Sequence, residues 1–225
     1  MLIFVLAGPA PCRCRPLSSN VRQHKTLLRM PTNSAPGSPA RGKIILLNGA
    51  SSSGKSTLAA ALQNALEEPF WHYSIDHLLA AGTLPKDRID RGHFRWNDLR
   101  PRFFAGFHAS LPALAAAGNN LVVEHIIETK EWIDRLVNLL QGSDVFFVGV
   151  HCPLEELERR EYARGDRRIG EAKADFETTH RFCEYDMEVR STLPAEENAS
   201  NIITAWKNRQ KHNPVERIVR RQSAA

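Results

Sequence analysis

The strongest constraint on this chain is the run Gly49-Ala50-Ser51-Ser52-Ser53-Gly54-Lys55-Ser56, which fits G-x-x-x-x-G-K-[ST] at every position. The residues before it, Lys43 to Asn48 (KIILLN), are apolar and branched and predict a short buried strand. Those after it place Leu58, Leu62 and Leu66 at helical spacing, with Ala59 and Ala65 on the same side. A strand passing through a small-residue turn into an amphipathic helix is the setting in which such a loop cradles phosphate. Gly49 and Gly54 permit backbone angles that a side chain would block. The amides from Gly49 to Thr57 then turn inward onto phosphate oxygens, helped by the positive end of the helix. Lys55 reaches the β- and γ-phosphates, and the Ser56 hydroxyl coordinates Mg²⁺. These residues predict a nucleoside triphosphate site.

The rest of the chain alternates strand and helix. Phe70 to Asp76, Leu121 to Ile127, Asp144 to Cys152 and a short Met187 to Val189 read as further strands. Helices are expected at Asp98 to Ala117 (with a kink at Pro112), Glu131 to Leu140, Pro153 to Arg164, Glu171 to Tyr185 and Ala195 to Lys207. Residues 77 to 97 read as one irregular loop, long enough to serve as a lid or binding segment. The apolar strands predict an α/β fold with a parallel sheet covered on both faces.

Three groups of side chains carry candidate chemistry. Asp76 closes the predicted second strand, at the carboxyl end where open α/β sheets bind ligands, and can accept or orient the proton of an attacking hydroxyl. As a structural residue it would instead cap the segment from His77. Glu124 lies in an apolar strand and needs a partner there; a magnesium-bound water, a substrate hydroxyl and a salt bridge are the alternatives. His125 points to the opposite face and reads as a core histidine. Arg159, Arg160, Arg164, Arg167 and Arg168 crowd around Gly165-Asp166. Pairing with Glu155, Glu156, Glu158 and Glu161 explains Arg159 and Arg160. Arg164 and Arg167 fit a hinged segment that closes over a transferred phosphoryl group. Phe94, Trp96, Phe103, Phe104 and Phe107 divide between core and an acceptor pocket.

Charge narrows the partners. Residues 1 to 42 hold six basic residues and no acid, so the net charge of +5 leaves −1 for the remainder. The expected folded part therefore lacks the basic surface of a nucleic-acid binder. Leu2 to Ala7 is too short to span a membrane. Four cysteines without C-x-x-C spacing fit a reducing cytoplasm. The expected organisation is a disordered extension at 1–41, within which Met30 is a candidate start, a domain at 42–209 and a basic tail at 210–225. No guanine-reading N-K-x-D occurs.

The chain resembles chloramphenicol phosphotransferase and its relatives, small P-loop kinases. Ile45-Leu-Leu-Asn48 running into the phosphate loop, Asp76, Val148-Gly-Val-His-Cys152, Arg160-Glu-x-Ala-Arg164-Gly-Asp-Arg167 and Glu184-Tyr-Asp-Met-Glu-Val189 carry the likeness, over about residues 43 to 208. The resemblance implies a three-layer P-loop kinase sandwich with a five-stranded parallel sheet and an arginine-bearing lid. It implies ATP- and Mg²⁺-dependent phosphorylation of a hydroxyl on a small molecule, with antibiotic modification as one form. Asp76 matches the general base, Lys55 and Ser56 the phosphate and magnesium residues, and Arg164 and Arg167 the lid arginines. Where the antibiotic-modifying member has two adjacent acids on the third strand, this chain has Glu124-His125. Arg88, Arg91 and Arg95 in the divergent acceptor segment keep an anionic acceptor open. The alternatives are a nucleotide-sugar or nucleoside kinase and a non-catalytic nucleotide-binding regulatory module.

Overall fold

A computed structural model describes residues 40–165 and 169–209. The extension, save its last two residues, the basic tail and Arg167 lie outside the described residues. Five strands are formed: β1 (Lys43–Asn48), β2 (Phe70–Ser74), β3 (Asn120–His125), β4 (Asp144–His151) and β5 (Met187–Arg190). Between and after them run α1 (Lys55–Ala65), α2 (Ile75–Ala80), α3 (Lys86–Asp90), α4 (Trp96–Ala116), α5 (Lys130–Leu139), α6 (Leu154–Arg164), α7 (Glu171–Thr178) and α8 (Ala195–Asn208). The sheet order is β2-β3-β1-β4-β5, and every neighbouring pair is parallel.

The strand alternation explains the two-sided core. Ile44 and Leu46 of β1 join Leu121, Val123 and Phe147 on one face, packed against Phe104 and Leu111 of α4 and Ile133 and Leu136 of α5. Ile45 and Leu47 join Val122 and Val148 on the other, under Leu58 and Leu62 of α1 and Ile202 and Trp206 of α8. Each such side chain contributes roughly 1.5–3 kcal/mol by leaving water. The result is the helix–sheet–helix sandwich that the apolar strands predict.

The structure departs from the sequence reading in several places. Asp76 does not close a strand: β2 ends at Ser74, whose hydroxyl accepts the His77 amide at 3.1 Å, and Asp76 sits in the first turn of α2. The 77–97 segment is not irregular throughout, since α2 and α3 occupy part of it. α7 stops at Thr178 rather than continuing to Tyr185, and the Thr179 carbonyl, which a longer helix would use, accepts from Asn48 Nδ2 instead. α4 runs unbroken across Pro101 and Pro112.

The Glu184-to-Val189 block fastens β5. The Asp186 amide donates to the Phe147 carbonyl, and the Asp186 carboxylate accepts from the Phe147 amide, both at 2.8 Å. The Tyr185 hydroxyl accepts from Asn48 Nδ2 at 2.8 Å, while Asn48 Oδ1 accepts the Ile127 amide. Asn48 is fully buried, so the residue leading into the phosphate loop is held from three sides. Among the described residues no helix is long and apolar enough to cross a membrane.

Candidate active site

The loop between β1 and α1 needs its glycines for different reasons. A Cβ on Gly49 would come within 2.6 Å of the Val150 carbonyl oxygen and 2.8 Å of Ser53 Oγ, so only a bare backbone fits. Gly54 has φ +88° at the start of α1, a left-handed conformation that glycine adopts without strain. Ser52 also has positive φ, at 62°, which marks the loop as a strained and over-determined turn. Lys55 is buried and its Nζ donates to the carbonyls of Gly49 and Ala50, each at 2.8 Å. Ala50 is itself buried.

Glu124 lies beside Ser56, whose Oγ donates to Glu124 Oε2 at 2.9 Å. The other carboxylate oxygen pairs with His72 Nε2 on β2. Glu124 is only 8% exposed. Burial pushes its carboxyl up, but the His72 hydrogen bond, the Lys55 charge and the Ser56 hydroxyl together outweigh this, so it ionises below the ordinary carboxylate range. A hydroxyl beside an ionised carboxylate is the hard-oxygen donor set that magnesium accepts. His125 faces the other way, where its Nε2 meets His108 Nε2 at 2.6 Å amid Phe104, Phe107 and Trp132.

These groups share a cavity of about 780 Å³ at the carboxyl end of the sheet. Ser51 to Thr57, Asp76, Glu124 and Arg164 all line it, whereas Gly49 and Ala50 do not. Opposite the loop, Ile75, Leu79, Trp96 and Phe104 make an apolar wall. Phe107 instead belongs to the core, stacked on Tyr73. Arg88, Arg91 and Arg95 do not line the cavity. Arg88 lies over Phe94, and Arg95 pairs with Asp98 at 2.9 Å.

Several lining residues carry no motif. Arg100 of α4 donates to Glu128 at 2.5 Å and lies over Phe104 and Trp132. Burial raises the Glu128 carboxyl above its ordinary range, Arg100 opposes this, and Asp175 adds to the rise. Asp175 of α7 accepts the Ser51 amide at 2.9 Å. Arg159 pairs with Glu156 as helical spacing predicts. Arg160 does so too, yet it also reaches the Ser191 carbonyl at 3.1 Å and the Ser52 carbonyl at 3.5 Å, tying α6 to the phosphate loop. Glu161, predicted as a surface partner, is buried and accepts the amides of Gly170 and Ala172, each at 2.8 Å. His72, Glu128 and Asp175 sit at positions where neither spacing nor a neighbouring motif distinguishes them from ordinary surface residues.

Comparison with known proteins identifies the family and the fold. Residues 42–207 match the family described as Chloramphenicol phosphotransferase-like protein. Two Mycobacterium tuberculosis proteins, "Putative O-phosphotransferase MT2714" of strain CDC 1551 / Oshkosh and "Putative O-phosphotransferase Rv2636" of strain H37Rv, are each 33% identical, covering 73% of this chain and 82% of their own. The M. tuberculosis APS kinase CysC, solved with AMPPNP and APS, superposes with TM-score 0.57 at 22% identity over 76% of this chain and all of its own. A gluconokinase from Sinorhizobium meliloti 1021 gives 0.51 at 19% over 75% and 93%, and a tunicamycin resistance protein from Deinococcus radiodurans 0.52 at 18% over 73% and 95%. The fold is that of the P-loop kinases. The chain belongs to the chloramphenicol phosphotransferase-like family and is a phosphotransferase.

Proposed function

We propose that this family member transfers the γ-phosphoryl group of ATP, with magnesium, to a hydroxyl of a small molecule bound against the Ile75, Leu79, Trp96 and Phe104 wall. The enzyme is an ATP-dependent phosphotransferase with an alcohol group as acceptor. The observation that carries the reading is that the phosphate loop, the Ser56–Glu124 pair and Asp76 line one cavity with that apolar wall.

The amides of the loop and Lys55 hold the phosphates, and the end of α1 adds its positive potential. Ser56, with Glu124 behind it, would hold magnesium, which offsets charge on the phosphate oxygens. Asp76 accepts the acceptor hydroxyl's proton as its oxygen attacks the γ-phosphorus. The bond from that phosphorus to ADP breaks, leaving a phosphate ester, ADP and a proton on Asp76. Because the transition state is loose, much of the effect of Asp76 is orientation. Arg164, and Arg167 beyond the described residues, act on the charge of the transferred group.

The basic residues that line the cavity are largely committed: Arg100 pairs with Glu128, Arg159 and Arg160 with Glu156, and Lys55 belongs to the phosphate loop, while Arg88, Arg91 and Arg95 do not line it. A neutral hydroxylated compound with an aromatic or apolar part fits better, and chloramphenicol is one such acceptor. The free thiols of Cys152 and Cys183 fit a reducing cytoplasm as the place of work. A coupled ATP-to-ADP assay against hydroxylated antibiotics, nucleosides and nucleotide sugars tests the proposal. Turnover is expected with a neutral acceptor and a fall of about 100-fold or more for Asp76→Asn with unchanged nucleotide affinity. An Asp76→Asn enzyme as fast as the parent would remove the role given to Asp76.

A further inference from the structure

Three groups on the phosphate loop that a triphosphate would use are engaged by the protein's own acceptors. Lys55 Nζ is folded onto the Gly49 and Ala50 carbonyls, and Ser56 Oγ is turned to Glu124. Both contacts stay within the loop and the adjoining sheet. The third comes from far along the chain. The Ser51 amide donates to Asp175 Oδ2 at 2.9 Å, across 124 residues, from a helix outside the sheet. A carboxylate oxygen resembles a phosphate oxygen in charge and in what it accepts, and inward-turned loop amides are where phosphate oxygens bind.

The helix that brings Asp175 is anchored at its start. Ala172, one turn before it, is fully buried in a small cluster with Cys152, Leu157 and Ala50 of the loop itself. The Glu161 carboxylate accepts the Gly170 and Ala172 amides and so fixes the start of α7. Asp175 and Glu128 both line the cavity, and the Asp175 charge adds to the rise of the Glu128 carboxyl. Further negative charge arriving there meets repulsion from both.

We propose that Asp175 is an internal competitor of the nucleotide: its carboxylate takes a loop amide that phosphate oxygens would use, and nucleotide binding must displace it and loosen the part of α7 that carries it. This inference rests on the reading of the loop as a nucleotide site. It couples the donor site to the helix that follows the arginine-bearing segment, so arrival of the phosphates frees that part of α7 to move.

The test uses the full chain without acceptor. Affinities for ADP and for a non-hydrolysable ATP analogue are measured by calorimetry on the parent, Asp175→Ala and Asp175→Asn. Asparagine can still accept the Ser51 amide but carries no charge. A charge-assisted hydrogen bond at a partly exposed site predicts about tenfold tighter analogue binding for Asp175→Ala and about threefold for Asp175→Asn. Hydrogen exchange of the α7 amides should speed up in the parent when analogue is added, and should already be fast in Asp175→Ala without it. Loss of a merely structural contact would weaken binding, so equal or weaker affinity in both variants overturns the proposal. Circular dichroism of the near-isosteric Asp175→Asn shows that its affinity is that of a folded protein. If the parent binds neither nucleotide, the donor-site reading falls and the competitor falls with it; if the parent binds and the variants match it, only the competitor falls.

Discussion

Acid should destabilise this protein through the buried pair His108 and His125. Their side chains meet at 2.6 Å between Nε2 atoms, which requires one ring to donate and the other to accept, so the bond forms between two neutral imidazoles. Burial holds His108 down at about 4, with the Arg135 charge adding to this. Burial holds His125 down at about 3, with His108 and Lys55 contributing. An unfolded histidine titrates near 6.5. The native state therefore refuses protons that the unfolded chain takes up, and the stabilisation is complete above about pH 6.5 and lost as the pH falls below it. At pH 5.0 an unfolded imidazole is almost fully charged and a native one scarcely so. Going from pH 7.5 to 5.0 then costs about 2 kcal/mol for each ring, about 4 for the pair. Urea unfolding followed by circular dichroism at the two pH values measures this. The parent should lose about 4 kcal/mol more than a His108→Gln/His125→Gln double variant, because other titrating groups are common to both. Equal losses in parent and double variant would refute the reasoning.

The phosphate loop gives a sharper test of donor binding: Lys55→Ala should abolish nucleotide binding by calorimetry while the thermal unfolding profile keeps its cooperative form. Glu124→Gln removes the charge that Ser56 and His72 face, and should raise the magnesium concentration needed for half-maximal turnover severalfold, read from a magnesium titration at saturating ATP. Glu161→Ala leaves the Gly170 and Ala172 amides without their buried acceptor. A local cost of about 2 kcal/mol predicts roughly 30-fold faster hydrogen exchange at those two amides, with little change at β1.

Much of the donor half was legible because local rules decide it. A glycine-framed loop between an apolar strand and an amphipathic helix has few ways to fold, and Gly49 and Gly54 meet the steric demands that their motif implies. Glu124 was legible as a carboxylate needing a partner, since an acid between Val123 and His125 cannot be left alone in a sheet. Its partner His72 was not, because the register of β2 on β3 brings together residues 52 apart in sequence. Asp76 was assigned to the wrong element: nothing local distinguishes a strand running to Asp76 from one stopped at Ser74, until the serine hydroxyl takes the His77 amide. The arginines of the 77–97 segment suggested an anionic site, yet composition cannot show which side of a helix a guanidinium takes. Arg88 lies over Phe94 and Arg95 pairs with Asp98, while Arg100, which enters the cavity, stood outside that group.

The strand order has a consequence for how this scaffold can change. β1 lies at the centre of the sheet, with β2 at one edge and β5 at the other. The helices that build the apolar wall hang between β2 and β3 on one flank, whereas α6 and α7 hang between β4 and β5 on the other. Of the first insertion only α4 enters the core that supports the phosphate loop, through Phe104 and Leu111, whereas α2 and α3 hold no buried residue. The stretch from His77 to Arg95 thus behaves as a replaceable cassette. An exchange of that cassette between relatives should transplant a new molecular preference onto an unaltered phosphoryl donor, without relearning how to fold.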